Sequence, residues 1–262
     1  MATTLLALDG YAVEGGLDGR GRPATCYAST IALGRHEGPG EAAGLWARYE
    51  EVLDAAAELG LAGVALSVEW ARVEPLPGEV DESALARYRA VIEHARARGL
   101  RVTVRLITAA WPSWLGPEAW ILPWVVPHAL AHAARVAEAL GEAPTGWVVF
   151  ADPAGLVAGG YLEGTRPPWR RRARAEAALA RRQLARITAG VAETVDLGAG
   201  LVEARSVELD PIALARSRWA RGEVHVRSLV RGKGPTASAR GLLAFDGRAW
   251  VVEDESVLAL LR

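Results

Sequence analysis

The sequence predicts an α/β fold built on a parallel sheet. Strand-like and helix-like segments alternate through about the first 200 residues, and that rhythm implies parallel strands joined by right-handed crossovers. At 262 residues and 51% hydrophobic content the chain can fill one large core. Length alone allows one α/β barrel or two small domains. We read residues 1–262 as one domain, because no low-complexity segment and no clean linker interrupts them.

The elements follow in order. Leu5 to Leu8 is a short apolar strand. Gly44 to Leu59 sets Leu45, Tyr49, Val52, Leu53 and Ala56 at helical spacing, and Gly60 stops the helix. Gly63 to Trp70 reads as a buried strand. Asp81 N-caps a helix to about Arg98, with Leu85, Tyr88 and Ile92 on one face and Gly99 at C′. Leu100 to Thr108 is a strand, Pro127 to Leu140 a helix, and Trp147 to Ala151 a strand. Arg172 to Val195 is a long helix and Gly200 to Val207 a strand. The last 50 residues or so break the rhythm. Glu223 to Val230 is strand-like, Asp246-Gly247 sits between two apolar runs as a hairpin signal, and Ser256 to Leu261 is a short helix.

Composition narrows the function classes. A net charge of −1 gives no global field toward nucleic acid or an anionic membrane. The single cysteine, Cys26, allows no intrachain disulfide. No apolar run reaches the roughly 18 residues of a membrane span. The start lacks the basic and apolar segments of a secretory signal, so a cytoplasmic protein is expected. Lys233 is the lone lysine among 30 basic residues. We read that bias as the codon usage of a GC-rich bacterium. The arginines from Arg166 to Arg186 alternate with Ala and Leu, which fits a solvated helix face. The glycine-rich stretches lack nucleotide-loop spacing, so no cofactor is expected.

Five segments carry a family resemblance. They are Tyr11-Ala-Val-Glu-Gly15, Arg48-Tyr49 through Glu58-Leu59-Gly60, Ser67-Val-Glu-Trp70-Ala-Arg72, Gly78-Glu-Val-Asp81 with its helix, and Trp147-Val-Val-Phe-Ala-Asp-Pro153 followed by Gly160-Tyr161 and Gly164. In order and spacing they resemble glycoside hydrolase family 1, the β-glucosidase family, across roughly residues 5–190. The resemblance implies a TIM-type (β/α)8 barrel, incomplete or modified in its C-terminal quarter. It also implies departures in the chemistry. The family's acid/base Glu falls on Asp152, and its sugar-binding Asn on Ala151. Its Gln on the glycone falls on Ala12. Its sugar-binding His falls on Thr108, in Thr108-Ala109-Ala110-Trp111-Pro112. Its Arg beside the nucleophile falls on Ala65.

A retaining glycosidase needs two carboxyl groups about 5–5.5 Å apart. Asp152 can supply one, although its side chain is shorter than Glu by about 1.5 Å. Misplacement on that scale can cost about 10²-fold. The nearest likeness to the family nucleophile is Glu253, at less than family spacing; the competing reading is a surface carboxylate. Alternation puts Ala65, Ser67 and Glu69 on one side of the second strand, so Glu69 should point inward where barrel sites lie. Burial there would raise its pKa and suit it to acid/base work; the alternative is a pairing with Arg72 or Arg105. Glu14 matches a family position and reads as structural.

Asp9 ends the first strand and could face the mouth. Trp111, Trp114, Trp120 and Trp124 crowd 14 residues, as a stacking platform or as core; Tyr161 and Trp169 could join that rim. His128 and His132 have metal-ligand spacing but no third ligand, so no metal is expected. The candidate set is therefore Asp152, Glu69 and Glu253 for catalysis. Asp9, Ala12, Thr108, Trp111, Trp114, Trp120, Ala151 and Tyr161 are the candidates for binding. The leading reading is a family 1-like barrel that binds or transforms a less polar small molecule. The alternatives are a retaining β-glycosidase of unusual substrate, using Asp152 and Glu253, and a non-catalytic binder or partner subunit, such as a homodimer.

Overall fold

The computed structural model describes residues 5–8 and 10–197, and beyond them four short strand segments. Strands β1 (Leu5–Leu8), β2 (Gly63–Ser67), β3 (Arg101–Ile107) and β4 (Gly146–Phe150) form one parallel sheet in the order β1-β2-β3-β4. The register aligns Ala7 with Ala65, Ala65 with Thr103, and Thr103 with Gly146. Because alternate residues point to opposite faces, the sheet has two unlike sides. Val64, Leu66, Val102, Val104, Leu106, Trp147 and Val149 form one apolar face and belong to the main core cluster. The opposite rows hold Ala7, Ala65, Ser67, Thr103, Arg105 and Val148, which are mostly small or polar. Ala7 is exposed there, while Arg105 and Val148 are half-buried.

Between strands run α1 (Gly10–Val13), α2 (Ala28–Ala32), α3 (Leu45–Glu58), α4 (Trp70–Val73), α5 (Glu82–Ala97) and α6 (Val125–Leu140). After β4 come α7 (Pro153–Val157), a π-helical turn at Ala158–Leu162, and α8 (Arg174–Thr194). The long helices pack in sequence order, α3 on α5, α5 on α6 and α6 on α8. That succession is an outer helical ring around a parallel sheet, as right-handed βαβ units require.

The predicted Asp81 cap is present: its carboxylate accepts the Ala84 N–H at 3.0 Å. The Ser83 hydroxyl donates to the same carboxyl and holds its pKa below the usual Asp range. Gly99 ends α5 at φ +78°, a conformation a side chain would resist.

Strand β2 is shorter than the sequence predicts. It ends at Ser67, not Trp70: the Val68 N–H still donates to the Arg105 carbonyl of β3 at 3.0 Å, but the Glu69 N–H donates to Tyr88 Oη at 3.0 Å and leaves the ladder. The chain then turns into α4, where Trp70 Nε1 donates to Glu74 at 3.1 Å. The expected hairpin is visible as β7 (Leu243–Phe245) paired antiparallel with β8 (Trp250–Val252), flanking Asp246-Gly247. A second pair, β5 (Val224–His225) with β6 (Ser238–Ala239), precedes it. The strand expected over Gly200 to Val207, the remainder of Glu223 to Val230 and the helix at Ser256 to Leu261 lie outside the described residues. Among the described residues no helix is long and apolar enough to cross a membrane.

Candidate active site

The carboxyl ends of β1, β2 and β3 meet at Glu69. Its Oε1 accepts the Tyr11 N–H at 3.0 Å, and its Oε2 accepts the Thr108 hydroxyl at 3.2 Å. The residue is 0% exposed. Gly10 presses so close that a Cβ there would lie 2.3 Å from Oε1. Glu69 thus ties three loops together, and Thr108 serves the same tie. Behind it sits a buried pair. Arg72 Nε donates to Glu14 Oε2 at 2.9 Å, and Tyr88 Oη donates to Glu14 Oε1 at 2.7 Å. Arg72 also donates to the Gly15 carbonyl at 2.6 Å and lies 3.9 Å over the Trp46 ring. Burial, then the Glu14 charge, pushes the Tyr88 hydroxyl pKa well up. Arg72 therefore pairs with Glu14, the residue whose structural role the sequence suggested.

Asp152 follows β4 in a different setting. It N-caps α7, its Oδ1 accepting the Gly155 N–H at 2.7 Å. Arg166 lies 3.5 Å from Oδ2, and the Asp152 side chain is 48% exposed. Its carboxylate is aimed, charged-partnered and open to solvent. Ala151 beside it is half-buried and donates its N–H to Ile107.

Four rings from the connections after β1 and β4 gather at this end of the sheet. Tyr11 stacks on Tyr27 with centroids 4.7 Å apart, and Tyr27 stacks on His36 at 5.1 Å. Trp169 meets the Tyr27 ring at 6.0 Å and the His36 ring at 5.9 Å. All four are half-buried, and Ala12 next to Tyr11 is exposed. Asp18 pins the assembly: it accepts the Tyr11 hydroxyl at 3.0 Å and the Thr25 N–H at 2.6 Å. Burial, then the Asp18 charge, raises the Tyr11 hydroxyl pKa. Trp169 sits at φ +63°, a rare conformation for a bulky residue, and such strain persists where the surroundings enforce it. Cys26 lies nearby with its thiol toward the Ala109 carbonyl at 3.6 Å, and burial pushes its pKa up.

The tryptophan run divides. Trp111 and Trp120 are core, at 1% and 0% exposure, with rings edge to face at 5.6 Å. Trp114 is half-buried and donates to the Glu74 carbonyl at 2.9 Å. Trp124 is 39% exposed. Tyr161 is fully buried. His132 stacks on Trp70 at 4.8 Å with Nε2 3.0 Å from the Leu106 carbonyl, and burial drives its pKa down to about 3. Its partner at i−4, exposed His128, touches Trp114 and Trp124 by its edges. Among the described residues no group of three His, Cys, Asp or Glu could hold a metal. Asp9 and Glu253 lie outside the described residues.

Sequence reasoning did not single out Tyr27, His36 or Arg166. The rings stand at irregular spacing on loops, so no periodic signal marks them. Arg166 was hidden in an arginine run read as a helix face; it precedes α8 and reaches Asp152.

A parallel sheet ringed by helices, with its polar and aromatic groups at the strands' carboxyl ends, defines a (β/α)8-barrel protein of which the described residues supply four βα units. The sequence profile of glycosyl hydrolase family 1 matches residues 6–197, and the chain belongs to that family. Among its relatives in rice, Oryza sativa subsp. japonica, a chloroplastic beta-glucosidase-like protein, SFR2, is 28% identical over 136 residues, or 49% of this chain and 21% of that protein. Rice beta-glucosidase 21 is 27% identical over 164 residues, 60% of this chain and 32% of that protein. The chain therefore spans about a fifth to a third of the relatives it matches. The beta-glycosidase from Pyrococcus horikoshii superposes with a TM-score of 0.70 at 20% identity, covering 91% of this chain and 58% of that one. The rice Os3BGlu6 beta-glucosidase gives 0.66 at 20%, covering 73% and 44%. These structural matches speak for the barrel fold.

Proposed function

We propose that this family 1 barrel binds a planar, weakly polar small molecule at its mouth and acts on it through Asp152, in place of hydrolysing simple β-glucosides. The observation that carries the reading is the assembly of Tyr11, Tyr27, His36 and Trp169. A half-buried aromatic assembly favours contact with flat apolar ligands, each added aromatic pair contributing about 0.5–1.5 kcal/mol beyond area burial. Ala12, next to Tyr11, and Ala151, next to Asp152, offer no side-chain donor or acceptor. A desolvated sugar hydroxyl left unmet there would cost about 1–3 kcal/mol. Together these terms favour a flat ligand over a pyranose.

Asp152 is the group suited to proton transfer. The Gly155 N–H fixes one oxygen, and Arg166 stands by the other. Half-exposed, the carboxylate can meet a ligand at the mouth and accept or return a proton. Glu69 is enclosed, so its part is to position Tyr11 and Thr108, and with them the ring assembly.

Calorimetric titration with 2-naphthol and with glucose tests the reading. Wild-type protein should bind 2-naphthol and show no comparable affinity for glucose. Trp169→Leu and Tyr27→Leu should each weaken the aromatic ligand by tenfold or more. Equal affinity in wild type and both variants would overturn it.

A further inference from the structure

Two arginines converge where the loop after β1 carries no side chain. Gly15 and Gly16 follow α1 at φ +76° and +74°, and the Gly16 N–H donates to the Gly40 carbonyl at 3.0 Å. A Cβ placed on Gly16 would lie 3.7 Å from Arg22 Nη1 and 3.9 Å from both Nη1 and Nη2 of Arg72. Beyond Gly16 and its two chain neighbours, these nitrogens are the nearest atoms to that position. One guanidinium from the loop and one from α4 thus face a single point.

The two are held differently. The Arg72 side chain is 7% exposed, with Nε on Glu14 and Nη2 on the Gly15 carbonyl. Its Nη1 makes no such bond among the described residues and is turned toward Gly16. Buried polar groups are nearly always partnered, so that donor calls for an acceptor at the bare glycine. Arg22 is 41% exposed, and its Nη2 pairs at 2.8 Å with Glu41, which is 77% exposed. A surface pair of that kind contributes little and exchanges readily. Gly16 is half-buried, and with Arg22 in solvent the point is open to solutes. Forked guanidiniums match the oxygens of an anion through charge-assisted hydrogen bonds.

We infer that Gly16, Arg22 and Arg72 form a binding site for an oxyanion of the phosphate class, which rests on the bare glycine and bridges the loop after β1 to α4. Arg72 is the preset donor, fixed by Glu14 and the Gly15 carbonyl. Arg22 is the adaptable one, and Glu41 is the carboxylate the ligand must outcompete.

The probes are inorganic phosphate and phenyl phosphate, each titrated at low ionic strength and read by ³¹P line broadening; the tighter of the two tells a free anion from a phosphate ester. Wild-type protein should bind saturably. Arg22→Met should weaken binding at least tenfold. Glu41→Gln frees Arg22 and should tighten binding several-fold, a gain that mere loss of structure would not give. Both positions are exposed, so these variants should fold. Gly16→Asp fills the point with a carboxylate, at a φ that Asp tolerates better than most residues, and should abolish binding. It should also melt above Gly16→Asn, by a margin that added NaCl shrinks. No binding by wild type, or binding unchanged in Arg22→Met and Gly16→Asp, would overturn the site and leave water as the partner of Arg72.

Discussion

On the proposed reading, Asp152 serves both a helix and a reaction. As N-cap of α7 it holds the Gly155 N–H, and Asn caps about as well as Asp while Ala costs about 1 kcal/mol. Asp152→Asn should therefore melt near wild type, and Asp152→Ala should lose about 1 kcal/mol in denaturant unfolding. Any carboxylate-dependent turnover should vanish in both. His132 carries a second residue-scale prediction. Burial pushes its pKa from the ordinary 6.5 down to about 3, so between those values the unfolded chain holds a proton that the folded chain lacks. Stability should then fall as pH drops below 6.5, by about 1.4 kcal/mol per pH unit. Urea unfolding at pH 7 and pH 5 should show that slope in wild type and a shallower one in His132→Leu. An equal slope in both would show that other groups dominate acid unfolding. The sequence made Asp81 and Gly99 legible, because a cap and a C′ glycine act over three or four neighbouring residues. It left Tyr27 and His36 unread, because their ring contacts with one another, Tyr11 and Trp169 follow no local period.

At the scale of elements, buried polar ties decide where strands stop. Alternation put Glu69 on the row of Ala65 and Ser67 but could not show that Gly10 and α1 close over it, since that depends on the path of a four-residue helix. Gly10→Ala should be strongly destabilising, because its Cβ would meet Glu69 and part α1 from β2. A melt unchanged by that substitution would contradict the close packing. Arg72→Met leaves Glu14 buried opposite an apolar chain. Removing one partner of a buried pair costs about 3–5 kcal/mol, which chemical denaturation should register. The early end of β2 has the same origin: Tyr88, 19 residues later, takes the Glu69 N–H out of the strand ladder.

For the whole molecule, the βα rhythm made the parallel sheet and helical ring legible, since periods of 2 and 3.6 are local properties that survive in the fold. Motif order then pointed to the family, which the match over residues 6–197 establishes. The mouth was less legible. Its rings are assembled from the loops after β1 and β4, and its carboxylates divide into an enclosed one at Glu69 and an open one at Asp152. The central claim is that this mouth has exchanged sugar binding for the binding of flat, weakly polar molecules. Steady-state hydrolysis of p-nitrophenyl β-glucoside tests it most directly, with wild type beside Asp152→Asn. The account predicts no turnover above background in either protein. Ordinary turnover in wild type, abolished in Asp152→Asn, would contradict it.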